Sequence, residues 1–463
     1  MMRWTVRIAN CLVWSVVVPL GSAAVERPYT VEAYQVSIRL DMTKQLLYGE
    51  ADIRLHNRTD TAFSALELDA GALRIVSVAE GQIAQSFERN HNLLFIALTN
   101  PLLPDEPRTI TLHYQAGPPP GLRFFSDQIY TAQTSDWMPC SEEPGERATL
   151  HLTIAAPPDM KAAGSGQLTA TRAGEAQTVT EWRLDSPTDP SLFGFVVGSF
   201  SENTADSDGA KLRILGAGTQ LVEPTTAAMH YLNERTGKHY PGQTYTEAFI
   251  HGDLTRSMAG LTLLPESYAQ KLEKRADDLW LLTNELARQW YGVGIASGNV
   301  SDTWLSDGIS AFLGDAFLEE RFGKERYERE IEHARQIYDR LRAEGQDRPL
   351  SDTERTGAQG GDSRIPEYKG AYFLYLLSQK TGDSAFWNGL RLYTSEEWGR
   401  AAASEDFQRA FDAVDTNSGT RGRKNAGAEG KQNRKNSPKT LDGLFDLWVY
   451  GVTDTKSKKA DGR

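Results

Sequence analysis

An amide, a carboxylate and a guanidinium fall close together in residues 281–294, LLTNELARQWYGVG, at Asn284, Glu285 and Arg288. On a helix, positions i and i+4 share a face, the spacing by which two side chains hold one metal ion. A carboxylate next to the first of them is placed to take a proton from metal-bound water. The spacing is therefore that of a hydrolytic zinc helix, with Asn284 and Arg288 where imidazoles would be needed.

A zinc hydrolase requires three protein ligands and one open position for water. Arg288 cannot contribute, because its guanidinium stays protonated and has no lone pair to donate. About 4 Å from a dication, at an effective dielectric near 20, it would add repulsion on the order of 8 kcal/mol. A structural zinc site gains roughly 10–16 kcal/mol even with good ligands. Asn284 is a neutral amide and a poor zinc ligand. No bound cofactor is expected on these residues, and the eight histidines are scattered with no helical pairing. His251, shortly before Ser257, is the one that could face the same cleft, although a lone histidine is more often structural.

The elements that must position these groups change character along the chain. From residue 31 the pattern alternates with period two: Tyr34, Val36, Ile38, Leu40; Ala51, Ile53, Leu55; Leu94, Ile96, Leu98; Ile110, Leu112, Tyr114; Leu150, Leu152, Ile154. This predicts an antiparallel β domain over residues 25–205, with GFVVGSF (194–200) as its last strand. After residue 206 the period becomes 3.6. Helices are expected from Pro224 to Tyr231 and over 275–291, 302–322, 325–344, 368–381 and 404–414, with Gly323 and Gly382 as left-handed caps. The fold class is α+β, with a mainly helical domain over 206–415. Residues 416–440 are polar, Gly-rich and basic, and are expected to be disordered. Residues 441–463 should form a short terminal helix and a basic tail.

The start of the chain reads as an export signal: a basic MMRWTVR, an apolar IANCLVWSVVVPL and small residues Gly21 to Ala24. Cleavage after residue 24 would place the protein in the periplasm or outside the cell, with no membrane span and with Cys140 as its single cysteine, so no internal disulfide. A plain N-terminal helix is the alternative. The net charge of −12 argues against a nucleic-acid partner.

Taken together, this chain resembles the membrane alanyl aminopeptidase family of gluzincin metallopeptidases. Trp137-Met138-Pro139-Cys140, followed by Glu142, Glu143, Pro144 and Ala148, is similar to the family's W-F-P-C-x-D-x-P-x-x-K-A segment. Residues 257–262, SMAGLT, fall where the family has its G-A-M-E-N-P-G-L strand. Leu286, Ala287, Gln289, Trp290 and Gly292 match its zinc helix, Trp304 to Gly308 its W-L-N-E-G, and Lys369-Gly370 its Y-x-K-G.

The resemblance implies a thermolysin-like helical domain and a zinc site on Asn284, Arg288 and Asp307, the last reached after eighteen intervening residues. Asp307 is shorter than the family glutamate by one methylene, roughly 1.5 Å of reach. Glu285 keeps the place of the general base. Substrate binding is implied at Ser257, Met258 and Gly260, but Ser257 has lost the charge of the amine-binding glutamate. Glu367 stands at the tyrosine that stabilises the tetrahedral intermediate, and Tyr368 is one residue, about 100° of helix, away.

Glu285, Arg288 and Asp307 are accordingly read as an ion-pair cluster, with the guanidinium in the metal's place. The expected function is a pseudopeptidase that binds a peptide or protein in its cleft. The alternatives are a working zinc aminopeptidase and a non-catalytic structural domain.

Overall fold

The computed structural model describes residues 27–118, 121–143, 145–352, 364–422 and 441–452. The expected export signal lies outside them. Alternating apolar residues build an eight-stranded sheet in the N-terminal half. Its order is Gln167–Ala173, Thr178–Thr188, Ala148–Ala156, Tyr29–Asp41, Leu46–Asn57, Pro107–Ala116, Arg74–Glu80 and Ile83–Ala84. Val36, Ile53, Leu112 and Leu152 are buried on its inner face, each contributing about 1.5–3 kcal/mol of transfer free energy. Smaller three- and four-stranded sheets complete this layer. The sheet is not purely antiparallel, because Tyr29–Asp41 pairs with Ala148–Ala156 in parallel, Val36 opposite Leu152.

Strand Phe195–Gly198 is not the last. A further sheet follows in the order Glu202–Ser207, Ala210–Leu215, Thr244–Ile250, Leu261–Pro265, Arg256–Met258. It corrects the expectation of a helical period from residue 206. All seven residues of Thr244–Ile250 are buried, so this central strand has no solvent face to produce an alternating pattern. Leu215, Ala248, Ile250, Met258, Leu261 and Leu263 join the core of the N-terminal sheets, while Leu212, Ile214, Phe249 and Leu264 join that of the helices.

The described helices are α1 (Val222–Thr236), α2 (Glu266–Lys274), α3 (Trp280–Ala287), α4 (Thr303–Phe322), α5 (Lys324–Ala343), α6 (Gly370–Thr381), α7 (Asp383–Glu397), α8 (Ser404–Gly422) and α9 (Asp442–Trp448). None is long and apolar enough to cross a membrane. The helix expected over 275–291 begins only at Trp280. Tyr268 Oη, on α2, accepts from Leu282 N at 3.2 Å and donates to Asp278 O at 2.8 Å, so a side chain from another element starts α3. Helix α8 continues to Gly422, into the segment expected to be disordered; residues 423–440 lie outside the described ones. Gly323 and Gly382 do stop helices, but at φ 86°, ψ 171° and φ 82°, ψ 156°, a glycine region beyond the left-handed helical one. A left-handed cap does stand after α1, at Gly237, with φ 73°, ψ 11°.

Candidate active-site cleft

Helix α3 delivers Asn284 and Glu285 to a cleft of about 500 Å³ that is also lined by Ser257, Arg288, Glu367 and Tyr368. Arg288 is the C-cap of α3, its N–H bonded to Asn284 O at 3.3 Å. From there its guanidinium meets three carboxylates. Nη1 donates to Asp307 Oδ1 at 2.5 Å, Nε lies 3.6 Å from Glu285 Oε1, and Nη2 lies 3.8 Å from Glu367 Oε2. Burial alone would lower the Arg288 pKa, but Asp307, Glu285 and Glu367 outweigh it and raise it above the ordinary arginine value. The sequence paired Arg288 with two carboxylates; Glu367 is the third.

Asp307 and Glu367 reach this point because α4 and the segment before α6 touch through two glycines. A Cβ on Gly308 would stand 2.8 Å from Gly370 Cα and 3.0 Å from Pro366 O. Residues Ile365–Lys369 form a π-helical turn ahead of α6, so the regular 100° step between neighbours does not apply at Glu367 and Tyr368. Lys369, buried, anchors this turn through Asp347 Oδ1 at 2.8 Å. Both Glu367 and Tyr368 line the cleft. The Tyr368 ring stacks on Trp280, centroids 6.1 Å apart at 9°. Burial pushes the Glu367 carboxyl up to about 7; Arg288 opposes this, and Asp307 and Glu285 add to it.

Ser257 faces α3, its Oγ 2.8 Å from Glu285 Oε2 and 2.8 Å from Glu285 O. Met258 and Gly260 do not line the cleft, contrary to the sequence reading. Side chains alternate along Arg256–Met258, so Met258 points the other way and is buried against Thr131 Oγ1, 3.8 Å from its sulfur. Gly260 occupies the following turn at φ 77°, its N–H on Gln289 Oε1 at 2.9 Å. His251 is also elsewhere, with Nδ1 3.0 Å from Glu266 Oε2 and Nε2 3.2 Å from Asp127 Oδ1. Trp280 and Arg256 are among the cleft residues that escaped the sequence reading. Trp280 stands one turn before Asn284, a spacing that could have revealed it. Arg256, held on Ser191 O at 2.6 Å, had no such signal.

The donor set does not fit a zinc ion. Asn284 Oδ1 is buried without a hydrogen-bond partner, but the position one turn on holds a cation, and Asp307 is already committed to that cation. Among the described residues no group of three His, Cys, Asp or Glu side chains is placed to hold a metal. What the arrangement offers chemically is one fixed cation among three carboxylates, an orphan amide oxygen and an aromatic wall.

Residues 256–423 match the peptidase family M1 domain. A mutant of the M1 zinc metallopeptidase from Deinococcus radiodurans matches over 92% of this chain and 96% of its own, with TM-score 0.73 and 21% identity. Another structure of that enzyme gives a TM-score of 0.69 at 22% identity, over 84% of this chain and 91% of that one. A complex of the mutant with a Tyr-Ser-Ala substrate gives 0.71 at 21% identity, over 92% and 95%. The chain thus has the two-domain fold of the M1 metallopeptidases, a sheet-rich domain followed by a helical one. The resemblance read from the motifs is carried by both the domain match and the fold.

Proposed function

We propose that this chain is an exported pseudopeptidase, an M1-type scaffold that binds a peptide or protein segment in its cleft with hydrolysis lost or severely impaired. The observation that carries this reading is the 2.5 Å bond between Arg288 and Asp307, which joins two of the positions where the family has zinc ligands. Ser257 and Glu367 support it, standing where an amine-binding carboxylate and an oxyanion-stabilising hydroxyl would be needed. Glu285 keeps the position of a base, and its carboxylate is engaged by Ser257 and Arg288.

Three measurements on the purified mature protein test the proposal. Elemental analysis should find no stoichiometric zinc, and aminoacyl amide substrates should not be cleaved above background. A peptide panel should nonetheless raise the melting temperature, as ligands of the folded state do. One zinc per chain with turnover would establish instead the zinc aminopeptidase that the family resemblance implies; the solved structures above are of a zinc metallopeptidase. No shift with any peptide would leave a structural domain.

A further inference from the structure

A second cavity, of about 270 Å³, lies along the seam between the two domains. It adjoins the cleft across one turn: Gly292 and Val293 line the cleft, Val293 and Gly294 the cavity. Its walls are unlike those of the cleft. Arg147 and Arg183 come from the β domain, Tyr240 and Trp398 from the helical domain, and Asp185 is the lining carboxylate. In a chain of net charge −12, this is a small chamber with a local excess of positive charge.

Arg147 is the informative group. Its Nε and Nη2 donate to Pro187 O at 3.0 and 2.6 Å, and its Nη1 to Arg400 O at 3.2 Å. These carbonyls fix the guanidinium across the seam without neutralising it, and two of its five N–H groups remain beyond those three bonds. Burial lowers its pKa, with Asp189 offsetting part of the effect, as expected for a cation short of counter-charge. Arg183 stands 3.9 Å from Asp185, both side chains more than half exposed, a pair of little strength. The aromatic walls are held by glycines. A Cβ on Gly294 would stand 2.7 Å from the Trp398 ring, and one on Gly242 2.9 Å from that of Tyr240.

The geometry points to a second binding site in this seam cavity, for a small carboxylic acid with an aromatic body. The carboxylate would lie on Arg147 and Arg183 and the ring between Trp398 and Tyr240. A guanidinium matches a carboxylate with two parallel hydrogen bonds, and the ring walls add offset stacking. The volume is near the lower end for a small-molecule site.

Calorimetric titration of the full mature chain with 3-phenylpropionate, against 3-phenylpropionamide, tests this. One saturable site is expected, with the amide weaker by about tenfold or more, the loss of a charged hydrogen-bonded pair. Arg183→Gln should weaken the acid about threefold to tenfold and Arg147→Gln by more. Because Arg147 also bridges two backbone carbonyls, Arg183→Gln, on an exposed side chain, carries the test if the other variant unfolds. Glu367→Gln, on the cleft side of the turn, reports where the acid went. No saturable binding, equal affinity for the amide, or an affinity that follows Glu367→Gln and ignores Arg183→Gln overturns the assignment. None of these outcomes bears on whether the cleft takes a peptide.

Discussion

Glu367 is the residue at which burial and charge conflict. Its carboxyl is pushed up to about 7 from an ordinary 4.5, so the folded state holds its proton more tightly than the unfolded chain does. The sign follows from linkage. The contribution is fully present below about pH 4.5 and is lost as pH rises to about 7. Glu367→Gln removes the penalty, so it should change stability little at pH 4.5 and stabilise the protein by roughly 2 kcal/mol at pH 8, after discounting for partial exposure. Urea unfolding at the two pH values measures it; a variant less stable than the parent at pH 8 would mean that the contact with Arg288 dominates.

The same cluster predicts how metal binding could be restored. Asn284→His, Arg288→His and Asp307→Glu together should give a zinc site of micromolar affinity or better, read by metal titration. Turnover should require Ser257→Glu and Glu367→Tyr in addition, since the triple variant still lacks amine and oxyanion groups. A folded triple variant without zinc affinity would show that the positions have drifted apart as well as changed type.

At the scale of elements, the site depends on how closely α4 and the turn before α6 approach. Gly308 and Gly370 permit that approach, and a methyl group has no room at 2.8 Å from backbone. Gly308→Ala should therefore cost about 1–3 kcal/mol, although alanine is the better helix former by roughly 1 kcal/mol. It should also move Asp307 relative to Glu367. Chemical denaturation gives the cost, and a stabilised variant would contradict the packing. Overpacking wins because the obstruction is backbone, which cannot rotate away as a side chain can.

For the whole molecule, the consequential feature is the mixed sheet that serves both cores. Met258 and Leu263 pack with the N-terminal sheets while Phe249 and Leu264 pack with the helices. The two domains should consequently unfold in one transition, with circular dichroism and tryptophan fluorescence coincident. Met258→Ala should shift both signals together and cost about 2–4 kcal/mol. Two separated transitions would show that the shared sheet does not couple the domains.

The strands of the N-terminal sheet were legible in the sequence because one face of each is buried and the other solvated, which writes a period of two into residues such as Val36 and Ile38. The pairing of Asn284 with Arg288 was legible because a helix face repeats every three to four residues, whereas Asp307 was placed only by the family resemblance; Arg288 announced its own incompatibility with a metal by carrying a permanent charge. Strand Thr244–Ile250 was hidden by burial on both faces. The start of α3 was hidden because Tyr268, from another helix, sets it. Tertiary structure alone decided that Glu367 joins Arg288, that Tyr368 stacks on Trp280, and that Met258 turns away from the cleft. Those outcomes depend on how elements distant in sequence approach one another, through contacts such as Gly308 on Gly370, and no local periodicity encodes that distance.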